Sequence, residues 1–237
     1  MQITERKLDK EIIYPVSDGE PVAETYDHFY ALLVTLEVLK QYLTGQQATV
    51  LGNQFLYYAK GFPKLRVAPD VMVIFDVEPG GRDSFKTWEE QAVPQVVFEM
   101  TSKSTKKEDQ EKKFQLYEQI GVTEYWLFDP RGEWLESPLM GYQLVDEMYQ
   151  PILNLRSNVL GLQLAVENKL IQFTEVATGN RLLHPSELKT TLEQMELKAE
   201  QEKQRAAQEK QRAAQEKQRA EKLIAQLKAL GVDPVDE

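Results

Sequence analysis

Apolar and polar positions along the first 185 residues follow patterns that alternate between helix and strand. The stretch AETYDHFYALLVTLEVLKQYL carries apolar residues at helical spacing, which predicts a helix that ends near Gly45. The segments ATVLGNQFLYYA, VAPDVMVIFD and VPQVVFEMTS then favour strands. The continuous apolar run of the second segment is typical of a sheet covered on both faces.

The remainder of this region continues the alternation. KKEDQEKKFQLYEQIG predicts a helix with its apolar residues facing inward and Gly121 as its stop. EYWLFDP predicts a strand that ends at Asp129-Pro130, and WLESPLMGYQLVDEMYQPI and LGLQLAVEN predict shorter antiparallel pieces. This order of elements predicts a mixed α/β domain.

The composition changes sharply after Pro185. QEKQRAAQEKQRAAQEKQRA repeats a seven-residue unit, and its residues are strong helix formers. We therefore predict two domains: a globular one over residues 1–185 and a helical, coiled-coil-like extension over residues 186–237.

The seam of the heptad repeat decides how strongly this helix could pair. One choice of register gives the following residues at positions a and d: Leu192, Ala199, Ala206, Ala213, Ala220 and Leu227 at a, and Met195, Glu202, Glu209, Glu216, Leu223 and Leu230 at d. Glutamate side chains at position d pack poorly against a partner helix, so the middle of the repeat is expected to form only a weak coiled coil. The extension is either a solvated spacer or an oligomerisation arm.

Charge and composition exclude several classes of function. The formal charge is −10, from 28 basic and 38 acidic residues, so any DNA contact must be local rather than a bulk electrostatic effect. The chain has no cysteine and only two histidines, which makes a zinc site improbable and favours a hard ion held by oxygen. The charged start of the sequence does not resemble a signal peptide, and no apolar stretch is long enough to cross a bilayer. We expect a soluble cytoplasmic protein with no membrane contact.

Glu99 interrupts the apolar strand VVFEM. A carboxylate on a buried strand needs a partner, a hydrogen-bond network or a metal ion to replace its lost hydration. A structural salt bridge is one interpretation of this residue, and a functional site is the other.

Asp70 follows Pro69 at the start of the strand VMVIF. Proline is tolerated at the first residue of a strand, so Asp70 is expected at the beginning of the strand rather than deep within it. At that position it could also be an ordinary turn residue. If the strands of Asp70 and Glu99 are neighbours, both carboxylates converge at one sheet edge. Such a pair suits Mg²⁺, with Mn²⁺ as a substitute.

Lys113 lies on the helix that follows the Glu99 strand. A lysine there could orient a water or offset phosphate charge, although most lysines on such a helix only face solvent. His28, on the first helix, could approach the same site, or it could be an ordinary capped or surface histidine. The aromatic series Tyr125, Trp126 and Phe128 could stack on bases, but its apolar strand favours core packing.

The quoted stretches resemble a known family. VAPDVMVIFD, VPQVVFEMTSKST and KKFQLYEQIGVTEYWLFDP together resemble the Uma-type restriction endonucleases, a group within the PD-(D/E)XK nuclease superfamily, over roughly residues 20 to 165. The resemblance implies a restriction-endonuclease-like mixed sheet flanked by helices. It also implies that Asp70 is the motif aspartate, Glu99 the second metal-binding acid and Lys113 the replacement for the motif lysine.

The sequence departs from the superfamily pattern at one position. Thr101 stands two residues after Glu99, where the pattern has lysine. The resemblance implies that Lys113 supplies the ammonium from the following helix, and Lys103 is its competitor. If neither lysine reaches the metal, the domain is a nuclease fold without nuclease activity.

Two functional hypotheses follow. The first is a Mg²⁺-dependent endonuclease that hydrolyses DNA phosphodiester bonds through Asp70, Glu99 and Lys113. The second is a catalytically inactive interaction protein with a nuclease fold and a helical oligomerisation arm. We also predict a homodimer held mainly by the globular domain.

Overall fold

The computed structural model describes residues 12–17, 19 and 24–229, with side chains as far as residue 226. The chain forms two compact units that meet between Pro185 and Ser186. Parts of both predicted domains, including Leu230 of the heptad seam, lie outside the described residues. Within the described residues, no helix is both long enough and apolar enough to cross a membrane.

A six-stranded sheet forms the centre of the first unit. Its spatial order is β1 (Ala48–Gly52), β4 (Val71–Phe75), β6 (Val96–Met100), β7 (Glu124–Phe128), β8 (Leu139–Val145) and β9 (Met148–Pro151). Neighbouring strands are antiparallel except β6 and β7, which are parallel. The β6–β7 crossover contains a π-helix, Glu108–Lys113, and a helix α3, Phe114–Ile120. The predicted mixed α/β fold is confirmed.

Two small sheets accompany the central one. The first contains β2 (Phe55–Tyr57), β3 (Arg66–Val67) and β5 (Ser84–Lys86), and the second contains β10 (Arg156–Ser157), β11 (Leu162–Glu167) and β12 (Leu170–Glu175). A short helix α2, Thr87–Glu90, follows β5. The segment between β4 and β6 therefore contains a strand and a helical turn.

One face of the central sheet packs against helix α1, Tyr26–Tyr42. Thr25 caps this helix by accepting a hydrogen bond from the His28 N–H at 3.5 Å. Leu32, Leu39 and Trp126 belong to the core on this side. Two of the apolar positions that predict the helix, Phe29 and Leu33, remain 52% and 38% exposed, because the sheet covers a narrower stripe of the helix.

The opposite face of the sheet packs against α3. Tyr117 on this helix lies in a second core cluster with Tyr125 and Leu127 of β7, and all three are buried. Because side chains alternate along a strand, Val97 and Glu99 of β6 point to this side. The burial of Tyr125, together with Trp126 and Phe128 on the other face, confirms core packing of the aromatic series.

Helix α4 begins at Pro185, the last residue of the first unit, and runs to Ala229, so all of it from Ser186 onward lies in the second unit. It is the long, charged C-terminal helix that the sequence predicts. Side chains 192–226 are exposed, including the seam residues Leu192, Met195 and Leu223.

Candidate metal and catalytic site

The pairing of β4 with β6 brings Asp70 and Glu99 together. These strands are antiparallel, with Val71 opposite Phe98, so the residue before β4 lies beside the end of β6. The Met100 N–H donates to Asp70 Oδ2 at 2.6 Å, and the Asp70 N–H lies 3.4 Å from Glu99 Oε2. The two carboxylates therefore converge at one sheet edge, as the strand pattern predicts.

Lys113 reaches the same point from the helical crossover. Its ammonium lies 2.8 Å from Glu99 Oε2 and 3.2 Å from Asp109 Oδ1. The competing lysine, Lys103, lies instead over the ring of Trp134, 6.0 Å from its centroid. The structure thus places Lys113 beside Glu99.

Local helix geometry explains this placement. Asp109, Lys113 and Tyr117 follow one another at intervals of four residues, and the first two lie in the π-helix, a conformation frequent at functional sites. The Tyr125 hydroxyl donates to the Asp109 carbonyl at 3.0 Å and ties this turn to β7. Lys113 and Tyr117 therefore both face Glu99.

Glu99 is fully buried, and both of its oxygens have partners. The Tyr117 hydroxyl donates to Oε1 at 2.6 Å, while Lys113 donates to Oε2. Burial raises the pKa of Glu99 to about 8, although the Lys113 ammonium acts in the opposite direction. An ion pair of this kind also satisfies the structural interpretation of Glu99.

The Lys113 ammonium is held in its charged form. Burial alone would lower its pKa, but the carboxylates of Glu99, Asp109 and Asp70 outweigh burial and raise the pKa. Lys113 is consequently a fixed cation and not a proton acceptor at neutral pH.

Helix α1 and the residue before its N-cap add two further ligand atoms, from His28 and Glu24. His28 Nε2 lies 3.2 Å from Glu24 Oε2 and 3.7 Å from Asp70 Oδ2, and the ligand atoms of these three residues lie within 4.8 Å of one another. His28 is only 6% exposed, and its Nε2 has no hydrogen bond of acceptable direction to any described residue. Burial lowers the pKa of His28, but the neighbouring Asp70 and Glu24 outweigh burial and raise it.

This arrangement fits a divalent cation. A buried ring nitrogen without a hydrogen bond, between two carboxylates, is an unsatisfied polar group that a metal ion would satisfy. Sequence reasoning considers His28 but misses Glu24, Asp109 and Tyr117. Four-residue spacing was the available signal: Glu24 precedes His28 by four residues, and Asp109 and Tyr117 flank Lys113 at the same interval.

Fold and site together define the class of protein: an α/β domain in which carboxylates from two paired strands meet a lysine from the crossover helix. A family model, Uma2, described as "Putative restriction endonuclease", matches residues 4–171, and the chain belongs to this family. This membership confirms the resemblance seen in the sequence motifs.

The chain also resembles a solved structure. A crystal structure of "a putative nuclease belonging to DUF820" from Anabaena variabilis ATCC 29413 is 12% identical in sequence, with a TM-score of 0.44. The match covers 68% of this chain and 80% of the other. No curated protein matches the chain.

Proposed function

We propose that this protein is a metal-dependent endonuclease that hydrolyses phosphodiester bonds in DNA. The observation that carries the proposal is the convergence of Asp70, Glu99 and Lys113 from three separate elements on one sheet edge. Membership of a family described as restriction endonucleases supports the same reaction.

The residues at this edge suit Mg²⁺, with Mn²⁺ as a substitute. Asp70 and Glu99 would hold the ion, and Glu24 and His28 offer additional ligand atoms on the other side of Asp70. A bound ion would lower the pKa of a coordinated water and offset phosphate charge. Glu99 would lose its proton on binding, because only the carboxylate form is a ligand.

The chain's own residues then have separate roles. Lys113 remains charged, so it offsets negative charge on the phosphate and orients the attacking water by donating hydrogen bonds. Tyr117 and Asp109 act by holding other site residues in place. Tyr117 fixes the Glu99 carboxylate, and Asp109 fixes the Lys113 ammonium. We therefore regard both as positioning residues.

A second candidate function is an inactive, nuclease-like interaction protein with a helical arm. The observation in its favour is that Glu99 already has internal partners on both oxygens. The net charge of −10 points the same way, since it opposes general attraction to DNA.

Cleavage of a supercoiled plasmid separates the two functions. The wild-type protein should nick or linearise the plasmid with Mg²⁺ or Mn²⁺ and not with EDTA. Asp70→Ala should lose this activity, whereas Asp76→Asn, at the exposed far end of β4, should keep it. Equal cleavage by wild type and Asp70→Ala would remove Asp70 from the mechanism, and no cleavage by purified wild type would favour the interaction protein.

A further inference from the structure

A cavity of about 240 Å³ adjoins the candidate site. Its wall includes His28, Thr101, Ser102, Lys103, Arg131 and Trp134. His28 is shared with the metal-binding cluster, where its Nε2 lies 3.7 Å from Asp70. The volume is below the roughly 300 Å³ at which pockets for drug-sized ligands begin, so the cavity suits one small ring system.

The loop that carries Trp134 and Arg131 is held in place by a buried carboxylate. Asp129 is 1% exposed and accepts hydrogen bonds from four backbone N–H groups of this loop. The donors are Arg131, Gly132, Trp134 and Leu135. The indole therefore forms part of a preorganised wall.

Trp134 presents an aromatic face to a cation. The Lys103 ammonium lies 6.0 Å from the ring centroid, at the outer range of a cation–π contact. A nucleobase could replace the ammonium on this face and leave Lys103 free to meet a phosphate, because bases stack readily on aromatic side chains.

Thr101 supplies an independent sign of a ligand. Its side chain is 2% exposed, and its hydroxyl has no hydrogen-bond partner among the described residues. An unpaired hydroxyl of this kind is unfavourable when buried. Thr101 lines the cavity, so a turn of its side chain toward the cavity would let the polar edge of a ligand satisfy the hydroxyl.

Cationic side chains lie in and beside the cavity, although the whole chain is acidic. Residues 103–113 contain five lysines and three acidic residues, and Lys103, Lys106 and Lys107 are exposed. Arg131 is 42% exposed and pairs with Asp27 at 3.0 Å. Lys103 and Arg131 line the cavity together with two carboxylates, Asp27 and Asp129, so the positive charge offered to a phosphate is local and comes from these two side chains and the exposed lysines beside the cavity.

We propose that this cavity binds one unpaired nucleotide next to the scissile phosphate. The base stacks on Trp134 and meets the Thr101 hydroxyl, while Lys103 and Arg131 contact the phosphate. Stacking on an indole needs a base that has left the duplex, so the substrate presents a single strand, or a flipped nucleotide whose unpairing makes binding to a duplex weaker. This proposal rests on the proposed nuclease function and specifies its substrate.

Binding without a divalent metal tests the cavity separately from cleavage. Fluorescence anisotropy in EDTA would compare the full-length protein on a labelled 12-nucleotide oligo-dT and on a 12-base-pair duplex. We expect tighter binding to the single strand. Trp134→Ala should weaken it by roughly 5- to 100-fold, and Trp134→Phe should retain most of it. Trp88→Ala is the matched control, because Trp88 packs on Tyr14 in the N-terminal segment.

Three results would overturn the proposal: unchanged oligo-dT binding by folded Trp134→Ala, binding to the duplex as tight as to the single strand, or no binding by wild type. If Trp134→Ala does not fold, the intrinsic emission of a Trp88→Phe variant decides, in which Trp134 and the buried core residue Trp126 are the remaining emitters. A saturable quench by oligo-dT supports the cavity, and an unchanged emission rejects it. These binding assays need no metal, so their result can be interpreted even if the plasmid experiment shows no nuclease activity.

Discussion

The ammonium of Lys113 lies 2.8 Å from a carboxylate oxygen of Glu99, which precedes it by 14 residues. The ion pair is almost closed to solvent, since the side chains are 14% and 0% exposed. Because burial raises the pKa of Glu99 to about 8, the pair carries both charges mainly toward pH 8, and the lysine would also face a phosphate bound at the sheet edge. The contact between Lys113 and Glu99 therefore has two possible roles: it stabilises the structure of the site, and it holds the lysine that we propose takes part in catalysis.

Replacing Lys113 separates these two roles. Lys113→Met should lower DNA cleavage by roughly 100-fold or more, since it removes the only ammonium at Glu99 among the described residues. Lys113→Arg keeps the charge and should recover part of the activity. Lys112→Met changes the exposed lysine one position earlier and should behave as wild type. Initial rates at saturating Mg²⁺, with thermal unfolding as a check on folding, measure the difference. Full activity of Lys113→Met would show that the ion pair between Lys113 and Glu99 has only a structural role.

The hydroxyl of Tyr117 is expected to position Glu99. Tyr117→Phe leaves a buried carboxylate oxygen without its donor, which should cost about 1 to 3 kcal/mol of unfolding free energy. Because groups that orient ligands tune affinity, Mn²⁺ binding should weaken by roughly 10-fold or more in isothermal titration.

A matched variant identifies the cause of this effect. Tyr149→Phe also removes a phenol hydrogen bond, but one to the Val122 carbonyl at 2.9 Å, away from Glu99. It should lose stability and keep the metal affinity of wild type. Equal Mn²⁺ affinity in both variants would show that Tyr117 has only a packing role.

The parts of this site that sequence reasoning finds have local signals. A proline before a strand marks Asp70, and a carboxylate within an apolar run marks Glu99. Glu24 and Asp109 have only the weaker signal of four-residue spacing from His28 and Lys113, because their roles depend on how the segments that carry them pack across the strand ends. Lys113 and Lys103 are equally basic in the sequence, and only the crossover geometry separates them.

The fold, like the site, can be predicted from the sequence only where local residue patterns determine it. Alternating patterns predict the strands and helices well because each pattern is set by neighbours along the chain. The intervening strand β5 is missed, since its three residues, Ser84–Lys86, are too few to show a period. The exposed face of α1 is missed because burial is decided by the sheet and not by helical spacing.

The metal-free protein should become less stable as pH rises from about 4.5 to 8. Burial raises the pKa of Glu99 to about 8 and also raises those of Asp109 and Glu24. The folded state then holds more protons than the unfolded chain across this window, so the free energy of unfolding falls with increasing pH. The lowered pKa values of Asp27 and Glu90 act in the opposite direction, but only up to about pH 5, above which these carboxyls are ionised in the unfolded chain as well.

Thermal unfolding in EDTA at pH 5, 6, 7 and 8 measures this dependence. Glu99→Gln should flatten the decline, whereas Glu111→Gln, an exposed residue of the π-helix, should not. Saturating Mg²⁺ or Mn²⁺ should stabilise the protein more at pH 8 than at pH 6, because metal binding displaces protons. A midpoint that rises with pH in EDTA for wild type would contradict the raised pKa of Glu99.

Deleting residues 199–237 should leave the oligomeric state unchanged. Cutting both strands of a duplex with one active site per chain calls for two chains, and two-fold symmetry is the commonest way to supply them, so we predict a homodimer. The seam of α4 offers mainly alanine and glutamate across its middle repeats, such as Ala206 and Glu209, and buries little apolar surface on pairing. The dimer contact is therefore expected in the globular unit. Sedimentation velocity should give a dimer for both the full chain and the truncation. A monomeric truncation beside a dimeric full chain would make α4 the oligomerisation element, and a monomeric full chain would contradict the dimer itself.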